Sequence, residues 1–215
     1  MARPLQAGAH AHPGGRTVNI VIAIVGVVVS YLLGTVPSAI MVARSKGVDI
    51  TTFGSGNPGA SNVGRALGTK WFIVVFLLDA AKGAVPVFIS AVALDNRPMA
   101  YVCGAAAILG HVFPVTRRFH GGKGIATGGG VLLPLHPPVM IGAVVFWLLA
   151  AKVSKKASLA SIGVVPLVMV ALAVKGTAAW ELLSLVGLGV LIEIRHLPNL
   201  KRLFSGTEHD VSHGS

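Results

Sequence analysis

The sequence predicts an all-α integral membrane protein with about seven transmembrane helices, and three observations carry that prediction. Hydrophobic residues make up 53% of the chain and charged residues 12%, at a mean hydropathy of +0.77. A soluble domain carries about 25% charged residues, so the deficit points to the bilayer as solvent. The apolar residues gather into runs near 18–43, 71–94, 98–114, 128–151, 159–174 and 177–194. Most of these approach the ~20 residues that a helix needs to span hydrocarbon. The basic residues sit between the runs: residues 44–70, 114–127, 152–156 and 195–215 hold 13 of the 18 Lys and Arg.

Taken in order, residues 1–17 are rich in Ala, Gly, Pro and His and read as a disordered tail, with His10 and His12 solvated. No short small-x-small site closes the first run, so it is read as a retained span that opens a single domain over 18–204. Asp79 and Lys82 interrupt the second run at a spacing of three, on one helix face where they can pair. Either they orient the loops or they touch a ligand. The run 128–151 is broken by Leu135-His136-Pro137-Pro138, because proline lacks the amide donor and clashes with the preceding turn. A break there makes two short helices or a re-entrant pair, and puts all four basic segments on one side. The positive-inside rule then sets the N-terminus outside and the C-terminus in the cytoplasm. Glu193 is expected to pair with a basic neighbour, and residues 205–215 form a cytoplasmic tail.

The net charge of +11 would suggest nucleic acid in a soluble protein. Between spans it points instead to lipid headgroups or phosphorylated substrates, and no nucleic acid is expected. Cys103 is the only cysteine, which excludes an intrachain disulfide and a thiolate metal cluster.

The connecting segments are unusually rich in Gly, Ser and Asn. The first runs Gly54-Ser55-Gly56-Asn57-Pro58-Gly59-Ala60-Ser61-Asn62-Val63-Gly64-Arg65. Its glycines let backbone amides approach an anion, its Ser and Asn side chains add neutral hydrogen bonds, and Arg65 adds a fork suited to phosphate. Residues 54–59 formally match the dinucleotide-binding pattern, but a membrane span precedes them where a strand is needed. The second, Gly110-His111-Val112-Phe113-Pro114 through Arg117-Arg118-Phe119-His120-Gly121-Gly122-Lys123-Gly124, surrounds Lys123 with glycines, an anion nest with a point charge inside. Lys123 is followed by Gly124 rather than Ser or Thr, so this is no nucleotide-hydrolysing loop. Arg117 and Arg118 read as interfacial anchors, and His111 as a base or a structural hydrogen-bonder. Ser158 and Ser161 lie near a helix start, where capping is the plain alternative to ligand contact. The basic tail from Arg195 to Glu208 either docks on lipid or brings His196 and Asn199 over a site.

With those residues in place, the motifs GSGNPGASNVGRALG, DAAKG, GHVFPVTRRFHGGKGIATG, SLASI and NLKRLFSGTE together resemble the bacterial acyl-phosphate:glycerol-3-phosphate acyltransferases, the PlsY family. The similarity runs in order from about Tyr31 to Glu208. It implies a seven-helix membrane enzyme with its motifs on the cytoplasmic side of the cell membrane. The implied substrates are acyl phosphate and glycerol 3-phosphate, and the implied products lysophosphatidate and inorganic phosphate. Carried over by motif, Ser55, Arg65, Lys123, His196 and Asn199 are the implied catalytic residues. Gly54, Gly56, Asn57, Asn62, His111, Gly121, Gly122, Gly124, Ser158 and Ser161 are the expected substrate contacts. Ser61 stands where Thr is usual, His120 where Lys is common, and Leu197-Pro198 where Arg-Glu is usual.

The chemistry expected of this set needs neither cofactor nor metal, and a monomer working in the bilayer suffices. Gly121, Gly122, Lys123, Gly124 and Ser55 are assigned to the acyl phosphate, Arg65 with Lys123 to the other phosphate. His196 and Asn199 are assigned to the acceptor hydroxyl or the oxyanion. No His is followed by Asp at the spacing of the acyl-thioester enzymes, and no G-x-S-x-G elbow occurs. A small transporter of a phosphorylated anion also suits the broken run and the intramembrane charges. Against it, the polar motifs crowd one face.

Overall fold

The computed structural model describes residues 13–211, and every regular element among them is helical. The helices are α1 (Pro13–Gly34), α2 (Ser38–Arg44), α3 (Ala60–Leu67), α4 (Thr69–Phe88), α5 (Arg97–Val112), α6 (Ile125–Leu135), α7 (Pro137–Ser154), α8 (Ala157–Val174) and α9 (Ala179–Phe204). His10 and His12 lie outside the described residues, and α1 begins at Pro13, inside the stretch expected to be a tail. The first run is not one helix. Pro37 separates α1 from the short α2, since a proline cannot donate into the preceding turn.

Among the described residues, five stretches are long and apolar enough to cross a membrane: Ile20–Arg44, Thr69–Val92, Arg97–Arg117, Pro137–Ser154 and Ala157–Val174. The sequence break falls where Pro137 and Pro138 predicted it, at His136. It leaves α6 at 11 residues, about half a crossing. The last apolar run continues through Pro198 into the 26-residue α9, about ten residues past its expected end.

The distribution of side chains is that of a protein solvated by lipid. Apolar residues such as Ile24, Leu77, Leu149 and Val190 stand exposed around the outside, while Ser30, Asp79, Lys82, Thr127, His136 and His196 are buried within. Helices pack closely where glycines remove side chains. A Cβ on Gly83 would collide with the Thr127 carbonyl of α6, and one on Gly130 with the Ala80 carbonyl of α4. This α4–α6 contact carries Asp79 and Lys82 against the loop that holds Lys123. Lys82 pairs with Asp79 at 2.6 Å and donates to the Val36 carbonyl at 2.5 Å, just before Pro37. The pair therefore fixes the first break in the chain.

At the opposite end from Lys123, Arg97 and Tyr101 of α5 both donate to Glu181 of α9, and the Tyr101 hydroxyl meets His136 Nε2 at 2.8 Å. That cluster ties the α6–α7 break to the start of α9. Glu193 does not pair as expected: its Oε1 is buried with no partner among the described residues, and Arg195, two residues on along the helix and so on another face, donates to the Gly121 carbonyl.

Candidate active site

A cavity of about 450 Å³ opens between α3, α4, α6, α7, α8 and α9. Its upper end is polar, lined by Ser55, Asn57, Asn62, Arg65, Lys123 and His196. Its deeper part is lined by Val164, Val168, Met169, Leu185, Leu188 and Ile192. One molecule with an anionic head and a hydrocarbon tail fits that division.

Three helices begin at the polar end. The first turns of α3 (Ala60, Ser61), α6 (Ile125, Ala126) and α8 (Ala157, Ser158) all line the cavity, and none has a side-chain cap. Uncapped first-turn amides carry partial positive charge, so three converging N-termini make a seat for anions before any side chain is counted. Gly124 caps α6 at φ +92°, a left-handed conformation that favours glycine and lets the chain turn from Lys123 straight into the helix.

Asn62 organises the first loop. Its Nδ2 donates to the Ile50 and Phe53 carbonyls, at 3.1 and 2.9 Å, and its Oδ1 accepts from the Ser55 amide and from Arg65 Nη2. Arg65 Nη2 also donates to Ser55 Oγ at 3.2 Å. Arg65 Nε is buried without a partner, so the guanidinium keeps donors for a phosphate. Burial holds its pKa below the ordinary arginine value.

Lys123 donates to Asn199 Oδ1, and Asn199 Nδ2 donates to both carboxylate oxygens of Glu208 at 3.2 Å. Burial, followed by the charge of Arg202, pushes the Lys123 ammonium down to about 8. Asn199 thus holds Lys123, and with its amide nitrogen committed to Glu208 it has no donor left for an oxyanion. His196 is free. Its Nδ1 is 2.8 Å from the Ile192 carbonyl, which can only accept, so Nδ1 carries the hydrogen and neutral Nε2 presents a lone pair. Such an imidazole accepts from a hydroxyl and cannot stabilise an oxyanion. Ile192, His196 and Asn199 recur on one face of α9, while Leu197 and Pro198 point outward, so the exchange at those two positions leaves the site intact.

The expected glycines divide. Gly124 lines the cavity, but Gly54, Gly56, Gly121 and Gly122 do not. Gly121 and Gly122 lie against His111: the Gly122 amide donates to the His111 carbonyl at 3.1 Å, and a Cβ on Gly122 would strike the ring at Nε2. Their missing side chains make room for the His111 carbonyl and ring. Gly54 and Gly56 make turns with positive φ beside Asn62 and Thr51. His111 reaches the cavity wall, with its Nδ1 3.9 Å from Asp79, beyond hydrogen-bond distance.

The two serines also differ. Ser158 Oγ is buried and has no partner, so it caps nothing and remains available to a ligand. Ser161 Oγ donates to the Ala157 carbonyl and accepts from Trp147 Nε1 at 3.0 Å, and Trp147 stacks on Phe72.

Glu208 escaped the sequence reading. The segment after α9 folds back, with the Val211 amide on the Lys155 carbonyl and Lys156 paired to Asp210 at 2.7 Å. This buries Glu208 between Asn199 and Arg202. The first of only two acids, Glu208 and Asp210, in the basic segment 195–215 was the available signal.

Among known proteins, the family model described as glycerol-3-phosphate acyltransferase matches residues 24–206. The chain belongs to the glycerol-3-phosphate acyltransferase family. The acyltransferase of Pseudomonas paraeruginosa (strain DSM 24068 / PA7) is 42% identical over 183 residues, covering 84% of this chain and 95% of its own. That of Aquifex aeolicus (strain VF5) is 39% identical over 185 residues, covering 85% and 96%. The crystal structure of PlsY (YgiH), an integral membrane glycerol 3-phosphate acyltransferase in its glycerol 3-phosphate form, superposes with a TM-score of 0.83 at 38% identity. That match covers 88% of this chain and 95% of the other, and the lysophosphatidic acid form gives 0.81. The protein is therefore a multi-pass membrane acyltransferase of glycerol 3-phosphate, and phospholipid synthesis is its family's setting.

Proposed function

We propose that this acyltransferase takes its acyl group from acyl phosphate and delivers it to the 1-position of glycerol 3-phosphate, releasing lysophosphatidate and inorganic phosphate. The observation that carries the reading is the convergence of three uncapped helix N-termini with Lys123 and Arg65 above an apolar arm. Two phosphates must be held together in this reaction, and amides plus two cations offset their mutual repulsion. The solved relative has a glycerol 3-phosphate form and a lysophosphatidic acid form, which suits the same acceptor and product here.

In this mechanism Arg65, steadied by Ser55 and Asn62, grips the phosphate of glycerol 3-phosphate. Lys123 stands between the two phosphates and joins Arg65 on the phosphate of glycerol 3-phosphate, while the N-terminus of α6 and the Ser158 hydroxyl hold the acyl phosphate. His196 Nε2 accepts a hydrogen bond from the acceptor hydroxyl and aims its oxygen at the acyl carbon. The new ester C–O bond forms, the bond between acyl carbon and bridging phosphate oxygen breaks, and the hydroxyl proton ends on the departing phosphate. Positioning and charge supply the rate, and no residue becomes acylated.

The orientation proposed is seven membrane helices with the N-terminus outside and the cavity mouth at the cytoplasmic face of the cell membrane. The basic segments that flank the mouth support it. The working unit proposed is a monomer. A transport path would have to continue through Leu135, Leu172 and Tyr101, all buried in the core.

The test is to supply purified protein in lipid with labelled glycerol 3-phosphate and either acyl phosphate or an acyl thioester, then identify the product. Lysophosphatidate from acyl phosphate alone is expected; product from the thioester alone would replace the donor.

A further inference from the structure

The geometry points to Gly189 of α9 and Met169 of α8 as the pair that sets how long an acyl chain the enzyme accepts. This deepens the proposed function: it rests on the donor's acyl group lying in the cavity, whatever its leaving group.

The arm has a measurable depth. Ten residues of α9 separate Asn199 from Gly189, roughly 15 Å, and eleven of α8 separate Ser158 from Met169, roughly 16 Å. Along that path the lining changes from Ser158, Ser161 and His196 to Val164, Val165, Ile192 and Leu188. Below the serines only hydrocarbon is matched to the walls.

The floor is specific. Gly189 is buried, and a Cβ built on it would lie 3.1 Å from Val165 Cγ1 and 3.7 Å from Met169 Cε. A methyl at Gly189 would therefore press on Val165 and meet the Met169 thioether, both of which line the arm, and would narrow it there. Leu185 lines the arm beside Met169, and behind them stands Leu172, 0% exposed, in a closely packed core. Met169 itself is unbranched and flexible, so the limit it imposes is graded. Adding a methyl at Gly189 raises the floor; shortening Met169 lowers it.

The experiment measures kcat/KM for the wild type, Gly189→Ala and Met169→Ala in lipid discs, with glycerol 3-phosphate and acyl phosphates from decanoyl to stearoyl. The readout is the ratio of stearoyl to decanoyl efficiency. It should fall about tenfold in Gly189→Ala and rise by a similar factor in Met169→Ala, since a methylene in an apolar pocket is worth about tenfold or more. A loss of folded protein lowers both efficiencies together and leaves the ratio untouched, so misfolding cannot imitate the result. Ratios within about twofold of wild type in both variants, or shifts in the same direction, would overturn the assignment. If the wild type uses no acyl phosphate, the donor reading fails by itself. The same ratio taken on the acyl thioester series then decides the floor by the same criteria.

Discussion

Lys123 and Asn199 are joined across the top of the cavity, the ammonium donating to the amide oxygen while the amide nitrogen donates to Glu208. An acid from the folded-back segment thereby fixes an amide, and the amide fixes a cation. Of the three donors on the ammonium, one is spent on Asn199 and two remain for phosphate.

Replacing Glu208 by Gln tests this relay. Its charge favours the protonated form of Lys123 from nearby, so Glu208→Gln should move the alkaline limb of kcat/KM to lower pH. A loss of about tenfold in kcat/KM is expected at neutral pH, because a bond to a charged group is worth about 1.5–3 kcal/mol. A pH–rate series on the purified variant checks it; an unmoved limb would leave Glu208 with packing alone.

The wild type has its own pH signature. Lys123 is lowered to about 8 by burial, so its cation is fully present below that pH and is lost as pH rises through it. Substrate KM should therefore climb above about pH 8, roughly two pH units before an ordinary lysine would titrate. Lys123→Arg, whose guanidinium stays charged, should flatten that climb even if its kcat is poor.

Ser158 and Ser161 should separate cleanly. Ser158→Ala removes a buried hydroxyl without a partner, so the thermal midpoint should hold or rise while KM increases about tenfold. Ser161→Ala loses the bonds to the Ala157 carbonyl and Trp147, and should cost about 1 kcal/mol of stability. Thermal unfolding in detergent, alongside steady-state kinetics, reads both.

The Asp79–Lys82 pair is buried, with side chains 3% and 5% exposed. Asp79→Asn leaves an uncompensated ammonium and should destabilise by about 3–5 kcal/mol, whereas Asp79→Asn with Lys82→Met should recover most of that. Equal midpoints for the single and double variants would contradict it.

Much of this was legible because the responsible physics is local. Two prolines after His136 end a helix whatever surrounds it, so the α6–α7 break could be read directly. The motif residues Ser55, Arg65, Lys123 and His196 do converge on one cavity. Gly121 and Gly122 could not be read, since a glycine that makes room for a ligand looks the same as one that makes room for the His111 ring. The convergence of α3, α6 and α8 was hidden because only the fold brings three helix starts together. Glu208 was hidden because its burial depends on Val211 and Asp210 fastening to the α7–α8 turn. Glu193 went the other way: a basic neighbour in sequence was a neighbour turned elsewhere in space.

The most direct measurement is the equilibrium binding of glycerol 3-phosphate to the purified protein at neutral pH, by calorimetry, for the wild type, Arg65→Gln and Lys123→Met. A phosphate seated among the three helix starts and both cations predicts that Kd rises about tenfold or more in each variant while the thermal midpoint is kept. Unchanged affinity in both folded variants would contradict the account, since the acceptor phosphate would then be held elsewhere.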